Sequence, residues 1–291
     1  MRQVALSSLE VFSSETTMKP NDVRIYPVVK WEEFGVTLRD KIFQFGSLYP
    51  GETIYRGHAR RDWKLSSPLE RVLYEPIPVG GEYRVQRNVD LENRVIKHFR
   101  NFIGGTPGVQ TDTLSDEELE ALGRHHWLCT ALLDWTRSPY VAVYFAFMET
   151  LELDNPGLRA GRNKTKDLKV PSDPVAIWGL TLAQEIHAAG GLIVGEWRKD
   201  AFYRQRAQQG LFTRLKSEIF VDIESYLKNI GCAHFLSRIE IPGSEAATTL
   251  LDLHAMNIHE ASLFPDAHGA AIQANLQLRW SELLSLSYRG R

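Results

Sequence analysis

The sequence predicts a single α+β domain in which a small mixed or antiparallel sheet forms the core and helices flank it. Three observations support this prediction. The chain has 291 residues, of which 43% are hydrophobic and 24% charged, as in a globular protein with a core of useful size. Strand and helix patterns follow each other without regular βαβ alternation. We expect residues 1–21, rich in Ser and Thr, to be a flexible leader and residues 22–291 to form the domain.

Two of the predicted helices have clear start signals. Ser115, followed three residues later by Glu118, is a capping box that predicts a helix over 116–124. Pro139 after Ser138 is a typical helix start, and the apolar run over 140–148 predicts a buried central helix. The other elements follow from the spacing of apolar residues. Helices are expected over 31–45, 91–102 and 244–256, and strands over 25–29, 52–56, 175–180 and 235–241 and within 212–223.

Charge and composition argue against several functional classes. The formal net charge of −2 gives no general attraction to nucleic acid or to an acidic membrane surface. The two cysteines, Cys129 and Cys232, lack the spacing of a zinc site, so no metal is expected. The chain has no apolar stretch of about 18 residues and no signal-peptide pattern at its start. We therefore expect a cytoplasmic protein without a membrane partner.

Polar chemistry is concentrated in four segments, of which the first is Tyr55-Arg56-Gly57. An arginine at a strand end beside a glycine can present its guanidinium to a phosphate or carboxylate, because glycine lets the ligand approach the backbone. The alternative is an arginine in a structural ion pair.

The second segment is the pair His125-His126, in which one ring could donate a hydrogen bond while the other packs. Two ordinary core or surface histidines are the alternative.

The third segment, 130–139, joins an apolar run to Asp134, Trp135, Thr136 and Ser138 at a helix start. Hydroxyls and free backbone N–H groups at such a position suit an anion or a sugar. Helix capping is the alternative, although capping needs only one of these residues.

The fourth segment, 204–213, contains Gln208 and Gln209 before Gly210, and their amides suit amide or ribose recognition. Its alternative role is a polar helix end with Gly210 as the terminating residue. A smaller feature over 259–266 is a turn with two carboxylates, Glu260 and Asp266, whose alternative role is to anchor the last helix.

In this order the segments resemble the FRG family, and the resemblance covers about residues 54–276. The aromatic-Arg-Gly triplet stands at 55–57, the central block from the histidine pair to Ser-Pro at 125–139, the Gln-Gly-Phe block at 208–212 and the Leu-Phe-Pro-Asp-x-x-Gly block at 263–269. Two positions depart from the family pattern. Trp127 stands where the family usually has a small residue, often glycine, and Ala131 stands at a commonly basic position.

The layout of the family resembles ADP-ribosyltransferase folds, which implies NAD as a substrate rather than a bound cofactor. By this resemblance, Arg56 with Gly57 would hold the NAD pyrophosphate, and His125 or His126 would contact hydroxyls of ribose or of the adenine side. The resemblance implies further ligand contacts from the central and Gln-Gly blocks, namely Asp134, Trp135, Thr136, Ser138, Tyr144, Gln208 and Gln209.

The position of the catalytic acid is the weak point of this resemblance. The segment that carries the catalytic glutamate in toxin transferases holds Gln208 and Gln209 here, and a glutamine cannot supply the charge that stabilises a cationic sugar. Asp134 is then the first candidate for the acid and Glu260 the second, with Arg56 and His126 completing the expected catalytic set. The alternative role of Asp134 is to hold Arg56 or to cap a helix.

Three functions compete at this stage. The first is an NAD-consuming ADP-ribosyltransferase or NAD glycohydrolase, as in a bacterial toxin or antiphage effector, with a protein or nucleic-acid acceptor and an antitoxin or regulatory partner. The second is a non-catalytic module that binds NAD or a related nucleotide. The third is a nucleic-acid-binding protein, which the basic residues over 159–169 suggest. A run of solvent-exposed charges explains these residues as well.

Overall fold

The computed structural model describes residues 21–45, 52–73, 77–79, 82–84, 89–106, 113–162, 168–195, 203–216 and 220–289. The predicted leader lies outside the described residues except for Asn21.

A seven-stranded mixed sheet forms the centre of the fold, with the strand order β1-β9-β6-β2-β5-β8-β7. Strands β1 and β9 pair in parallel, and the other neighbours in this sheet are antiparallel. Strands β3 and β4 form a separate two-stranded sheet. The strands are β1 Arg24–Tyr26, β2 Thr53–His58, β3 Ile77–Val79, β4 Glu82–Arg84, β5 Leu132–Thr136, β6 Val175–Thr181, β7 Leu192–Gly195, β8 Gly210–Leu215 and β9 Leu236–Ile241.

Helices cover both faces of the large sheet. They are α1 Trp31–Thr37, α2 Pro68–Leu73, α3 Val89–Ile103, α4 Asp116–His125, α5 Pro139–Asp154, α6 Gln184–Ala189, α7 Tyr203–Ala207, α8 Ile223–Asn229, α9 Ala246–Ala255, α10 Glu260–Leu263, α11 Ala267–Gln277 and α12 Trp280–Arg289. A π-helical stretch, Leu38–Phe43, continues α1, and short 3-10 helices occupy Ala233–Phe235 and Gly243–Glu245.

The two faces of the sheet bury separate apolar clusters. On one face, Tyr55 and Ile177 pack with residues of α1, α5 and α9. On the other face, Leu133 and Trp135 pack with residues of α6 and α8. All residues of β6 are buried, as expected for a strand covered on both sides. Because side chains alternate along a strand, neighbouring residues of β2 and β5 serve different faces.

The α+β prediction is confirmed, and so are its two strongest helix signals. The Ser115 hydroxyl accepts from the Glu118 N–H at 3.2 Å, and the Glu118 carboxylate accepts from the Ser115 N–H at 2.8 Å. The central helix is α5, with Ser138 as its N-cap and Pro139 as its first residue. No helix among the described residues is long and apolar enough to cross a membrane.

One local expectation was wrong. Strand β2 does not end at Gly57 but continues to His58, because β6 pairs with it over six positions. Gly210 begins β8, so its alternative role as the terminating residue of a helix is not observed. The left-handed turn after α7 is made by Gln209 instead, with a φ of 49°.

Candidate functional site

The candidate site lies where strands β2 and β5 separate. These neighbours share one paired position, Tyr55 with Thr136, among the described residues, whereas β2 and β6 share six. Beyond that pair, Nη1 of Arg56 donates to the backbone oxygen of Asp134 at 2.6 Å. The guanidinium therefore satisfies a carbonyl that the separating strand no longer reaches.

Gly57 has a packing role at this point. A Cβ atom on Gly57 would lie 1.9 Å from the backbone oxygen of Ala142 and 2.9 Å from the Cβ atom of Ala146. Glycine is therefore required so that α5 can cross β2 closely. We expected glycine to let a ligand approach the backbone, but the structure shows a helix in that space. Arg56 leaves β2 on the side opposite to Gly57, and its guanidinium lies in the gap between the strands, beside Asp134.

His58 fixes the orientation of the Arg56 guanidinium. Nε of Arg56 donates to Nε2 of His58 at 3.0 Å, and His58 is fully buried. Burial, followed by the charge of Arg56, holds the pKa of His58 well below its ordinary value. The imidazole is therefore neutral at physiological pH and accepts this hydrogen bond. Sequence analysis missed His58, although its position two residues after Arg56 puts it on the same face of the strand.

Asp134 is bound by two arginines. Its Oδ2 atom accepts from Nε of Arg124 at 2.9 Å and from Nη2 at 2.7 Å, and it lies 3.8 Å from Nη1 of Arg56. Burial raises the pKa of Asp134, but the charges of Arg124 and Arg56 outweigh burial and lower the pKa below its ordinary value. The side chain is still 40% exposed. Asp134 is thus an ionised carboxylate whose charge is largely matched by Arg124.

A second carboxylate, Glu149, faces the same arginines without being bound by them. It lies one turn beyond Ala146 on α5, on the side of the helix that approaches β2, and it is exposed. Although the side chain reaches the surface, the protein atoms around its carboxyl partly exclude water and raise its pKa, and the charges of Arg56 and Arg71 oppose that shift. No ion pair within 4 Å joins Glu149 to an arginine in the part of the chain that the structure describes.

Arg71 is the third arginine of the site. It is carried by α2, and its guanidinium carbon lies 5.9 Å from the ring centroid of Trp63. Burial lowers its pKa, and its electrostatic neighbours include Glu149, Arg124 and Asp134. We call these three arginines and two carboxylates the arginine cluster: Arg56, Arg71, Arg124, Asp134 and Glu149. Its formal charges leave one positive charge in excess, which suits an anionic ligand.

The histidine pair lies beside the arginine cluster at the end of α4. The ring of His125 packs against Phe212 at 5.7 Å, and burial lowers its pKa. His126 is exposed, and burial followed by the charge of Arg204 lowers its pKa. Arg204 donates to the backbone oxygen of His125 at 3.3 Å and to Asp266 at 2.6 Å. It thereby joins three separate sequence segments at one side of the site.

Several predicted ligand contacts instead hold the fold together. Trp135 is 3% exposed and its indole N–H donates to the hydroxyl of Thr213 at 2.8 Å, on the face of the sheet opposite Asp134. The Thr136 hydroxyl donates to the backbone oxygen of Gln208 at 2.7 Å and accepts from the Ser138 N–H at 3.0 Å. Ser138 in turn caps α5.

The Gln-Gly block is also a structural connection. The amide of Gln208 donates to the backbone oxygen of Leu263 at 3.1 Å, and the backbone oxygen of Gln209 accepts from the Arg137 N–H at 3.1 Å. These bonds tie the start of β8 to β5 and to α10. Gln209 itself is exposed.

Tyr144 and Glu260 form a buried pair. The Tyr144 hydroxyl donates to Oε2 of Glu260 at 2.5 Å, and these residues are 3% and 1% exposed. Nη2 of Arg159 lies 3.8 Å from the same carboxylate oxygen. The resemblance implied a ligand contact for Tyr144, and Glu260 was the second candidate for the catalytic acid. Their burial instead makes them an anchor between α5 and α10.

The chain is thus an α+β protein with a cluster of arginines and carboxylates at a gap in its sheet. The sequence model of the FRG domain matches residues 51–155. This part of the chain is therefore similar to the FRG domain, and all five residues of the arginine cluster lie within it. No curated protein and no solved structure matched the chain.

Proposed function

We propose that the protein binds NAD at the arginine cluster and breaks the bond between nicotinamide and ribose, as an ADP-ribosyltransferase or an NAD glycohydrolase. One observation carries this proposal. Arg56 and Arg124 meet the carboxylate of Asp134 at the gap between β2 and β5, while Glu149, which no arginine binds among the described residues, feels the charges of Arg56, Arg71 and Arg124. The arginines suit the pyrophosphate, and the unbound carboxylate suits the reacting sugar.

The arginines are organised before any ligand arrives. Arg56 is oriented by His58 and by the backbone oxygen of Asp134, and Arg124 is oriented by the Asp134 carboxylate. Burial lowers the pKa of Arg56 to about 10, so the residue stays charged at neutral pH. Guanidiniums held in this way can each give two parallel hydrogen bonds to phosphate oxygens, at little further cost in side-chain entropy.

Glu149 is the carboxylate that we assign to the reaction. When the bond from ribose C1′ to the nicotinamide nitrogen breaks, its electron pair leaves with nicotinamide and positive charge develops on the ribose. A carboxylate without an arginine bound to it stabilises that charge more than one already matched by a guanidinium. Water or an acceptor then forms the new bond to C1′ and releases a proton, which Glu149 accepts. Asp134, our first candidate from the sequence, then has the role of positioning Arg124.

The first test measures nicotinamide release from NAD by chromatography, with lysate and oligonucleotides supplied as acceptors and labelled NAD used to detect a modified product. Wild-type protein is expected to release nicotinamide. Arg56→Lys is expected to lose most of the activity, because an ammonium group cannot bond His58, the Asp134 carbonyl and a phosphate in the geometry of a planar guanidinium. Arg39→Lys, at an exposed arginine on the helix that continues α1, is the matched control.

A non-catalytic nucleotide-binding module is the second candidate. The Gln208 amide that stands in the predicted acid segment is bonded to Leu263, and Asp134 is matched by Arg124. This alternative predicts that ADP-ribose raises the melting temperature while no nicotinamide is released under any acceptor condition. If neither NAD nor ADP-ribose binds to the wild-type protein in calorimetry, both candidate functions are excluded.

A further inference from the structure

Trp127 has an unusual backbone conformation at the end of α4. Its φ is 67°, in the left-handed region that disfavours large side chains. The N–H of Leu128 donates to the oxygen of Gly123 at 2.9 Å, and the N–H of Trp127 donates to the oxygen of Arg124 at 3.2 Å. These bonds close the helix in the way that usually requires glycine at the left-handed position. Here a tryptophan occupies that position.

Packing does not explain this tryptophan. Trp127 is 79% exposed, so it buries little apolar surface in the fold. Within the described parts of the chain, its indole makes no hydrogen bond and no ring contact. A glycine would close the helix without the unfavourable conformation. A strained, exposed aromatic residue that does not stabilise the fold is better explained by contact with a ligand.

The position of Trp127 connects it to the arginine cluster. Its N–H is bonded to the backbone of Arg124, whose guanidinium binds Asp134. The neighbouring residue, His126, is also exposed. Glu149 has Arg56 and Arg71 as its strongest electrostatic partners, and Arg124, to whose backbone Trp127 is bonded, is a weaker one. The exposed indole is therefore linked to the arginine cluster through Arg124, and the carboxylate of Glu149 through Arg56 and Arg71.

We propose that Trp127 is a stacking platform for the adenine ring of the ligand whose phosphates the arginines hold. This inference rests on the proposed function, because NAD has one ring system on each side of its pyrophosphate. If the nicotinamide ribose meets Glu149, the adenine lies beyond the pyrophosphate, and Trp127, bonded to the backbone of Arg124, is the exposed aromatic residue that we assign to it. An indole offers a planar face to an adenine, and the neighbouring positive charges hold the phosphates in place.

The experiment compares two probes by calorimetry. ADP-ribose contains adenine and pyrophosphate but no nicotinamide, and inorganic pyrophosphate contains no ring. Trp127→Gly is expected to weaken ADP-ribose binding by about tenfold to a hundredfold, the range for loss of one base–aromatic stack. Pyrophosphate binding is expected to stay the same, and Trp127→Phe is expected to keep most of the ADP-ribose affinity. Phe102→Ala removes another exposed aromatic side chain, 84% exposed at the end of α3, and serves as the control.

The melting temperature separates loss of a ligand contact from loss of the fold. Trp127→Gly relieves the left-handed conformation, so its melting temperature is expected to equal or exceed that of wild type. Unchanged ADP-ribose affinity in Trp127→Gly, or equal weakening of both probes, would overturn the stacking role while leaving the proposed function intact. Weakened NAD binding with unchanged ADP-ribose binding would overturn the assignment to adenine. Failure of wild type to bind either probe overturns the proposed function and the platform together.

Discussion

Two glutamates beside α5, Glu260 and Glu149, differ in how the fold uses their carboxylates. Glu260 is 1% exposed and accepts a hydrogen bond from Tyr144 of α5, with Arg159 also near its carboxylate. Glu149, on α5 itself, is exposed and makes no ion pair among the described residues. The carboxylate of Glu260 already has partners within the fold, whereas the carboxylate of Glu149 can contact a ligand. Burial and partners, more than residue type, decide which of the two is a candidate for catalysis.

The largest expected effect tests the free glutamate. Glu149→Gln keeps the shape of the side chain but removes its charge, so nicotinamide release is expected to fall by about a hundredfold to a thousandfold. ADP-ribose affinity is expected to change little, because the three arginines remain. Turnover assays and calorimetry on the same preparation measure the two quantities. Glu32→Gln, at an exposed glutamate on α1, is the matched control. Full turnover by Glu149→Gln would remove Glu149 from the reaction.

The opposite result is expected for the buried glutamate. Glu260→Ala leaves the Tyr144 hydroxyl without its acceptor and opens a space between α5 and α10. We expect the free energy of unfolding to fall by about 3 kcal/mol, as for loss of a buried hydrogen-bonded charge. Urea denaturation measures this change. Glu149→Gln in the same assay is expected to stay within about 0.5 kcal/mol of wild type, as for a surface substitution. Equal destabilisation by the two changes would contradict the comparison.

Substitution of Asp134 is expected to have an intermediate effect, and the affected quantity is the affinity for ligand. Asp134→Asn weakens the hold on Arg124, so ADP-ribose affinity is expected to fall by about tenfold, in line with loss of one charge-assisted contact. The arginines lower the pKa of Asp134, so its ionised form is present above the ordinary value of about 3.9 and is lost as pH falls through the lowered value. The affinity difference should therefore be constant at neutral and mildly acidic pH. A difference that disappears near pH 6 would point to a histidine instead.

The smallest expected effect is a shift in the pH dependence of turnover. In the proposed reaction Glu149 acts in its ionised form, and partial exclusion of water from its carboxyl raises its pKa. Turnover is therefore expected to fall, as pH decreases, at a pH above the ordinary glutamate value of about 4.3. The residual activity of Glu149→Gln should lack this acidic decline. An acidic decline that is the same in both proteins would assign it to another group.

The sequence predicted much of the fold because its local signals agree with the packing. The Ser115 capping box and the Ser138-Pro139 helix start both depend on neighbouring residues, and both are present in the structure. The contact of Arg56 with Asp134 agrees with the alternative role that the sequence offered for Asp134, whereas the bond of Arg56 to the Asp134 backbone was not predicted.

The sequence was less informative about which side chains face the site. A polar block in a strand alternates between two faces, so Asp134 reaches the arginine cluster while Trp135 enters the opposite core. Glu149 had no local signal, since it lies in an otherwise apolar helix. The position of Glu149 is fixed by the close packing of Ala142 and Ala146 against Gly57, which is far from α5 in the sequence. His58 was missed for a similar reason, because its importance comes from its bond to Arg56.

The separation of β2 from β5 has a mechanical consequence. Strands β1, β9, β6 and β2 form one part of the sheet, and β5, β8 and β7 form the other. One backbone pair and the side chain of Arg56 are the sheet contacts that join β2 to β5 among the described residues. A ligand bound by Arg56 from one part and by Arg124 beside the other would bridge this seam. Ligand binding would then make the whole sheet more rigid. Amide hydrogen exchange would become slower in both parts of the sheet at the same time.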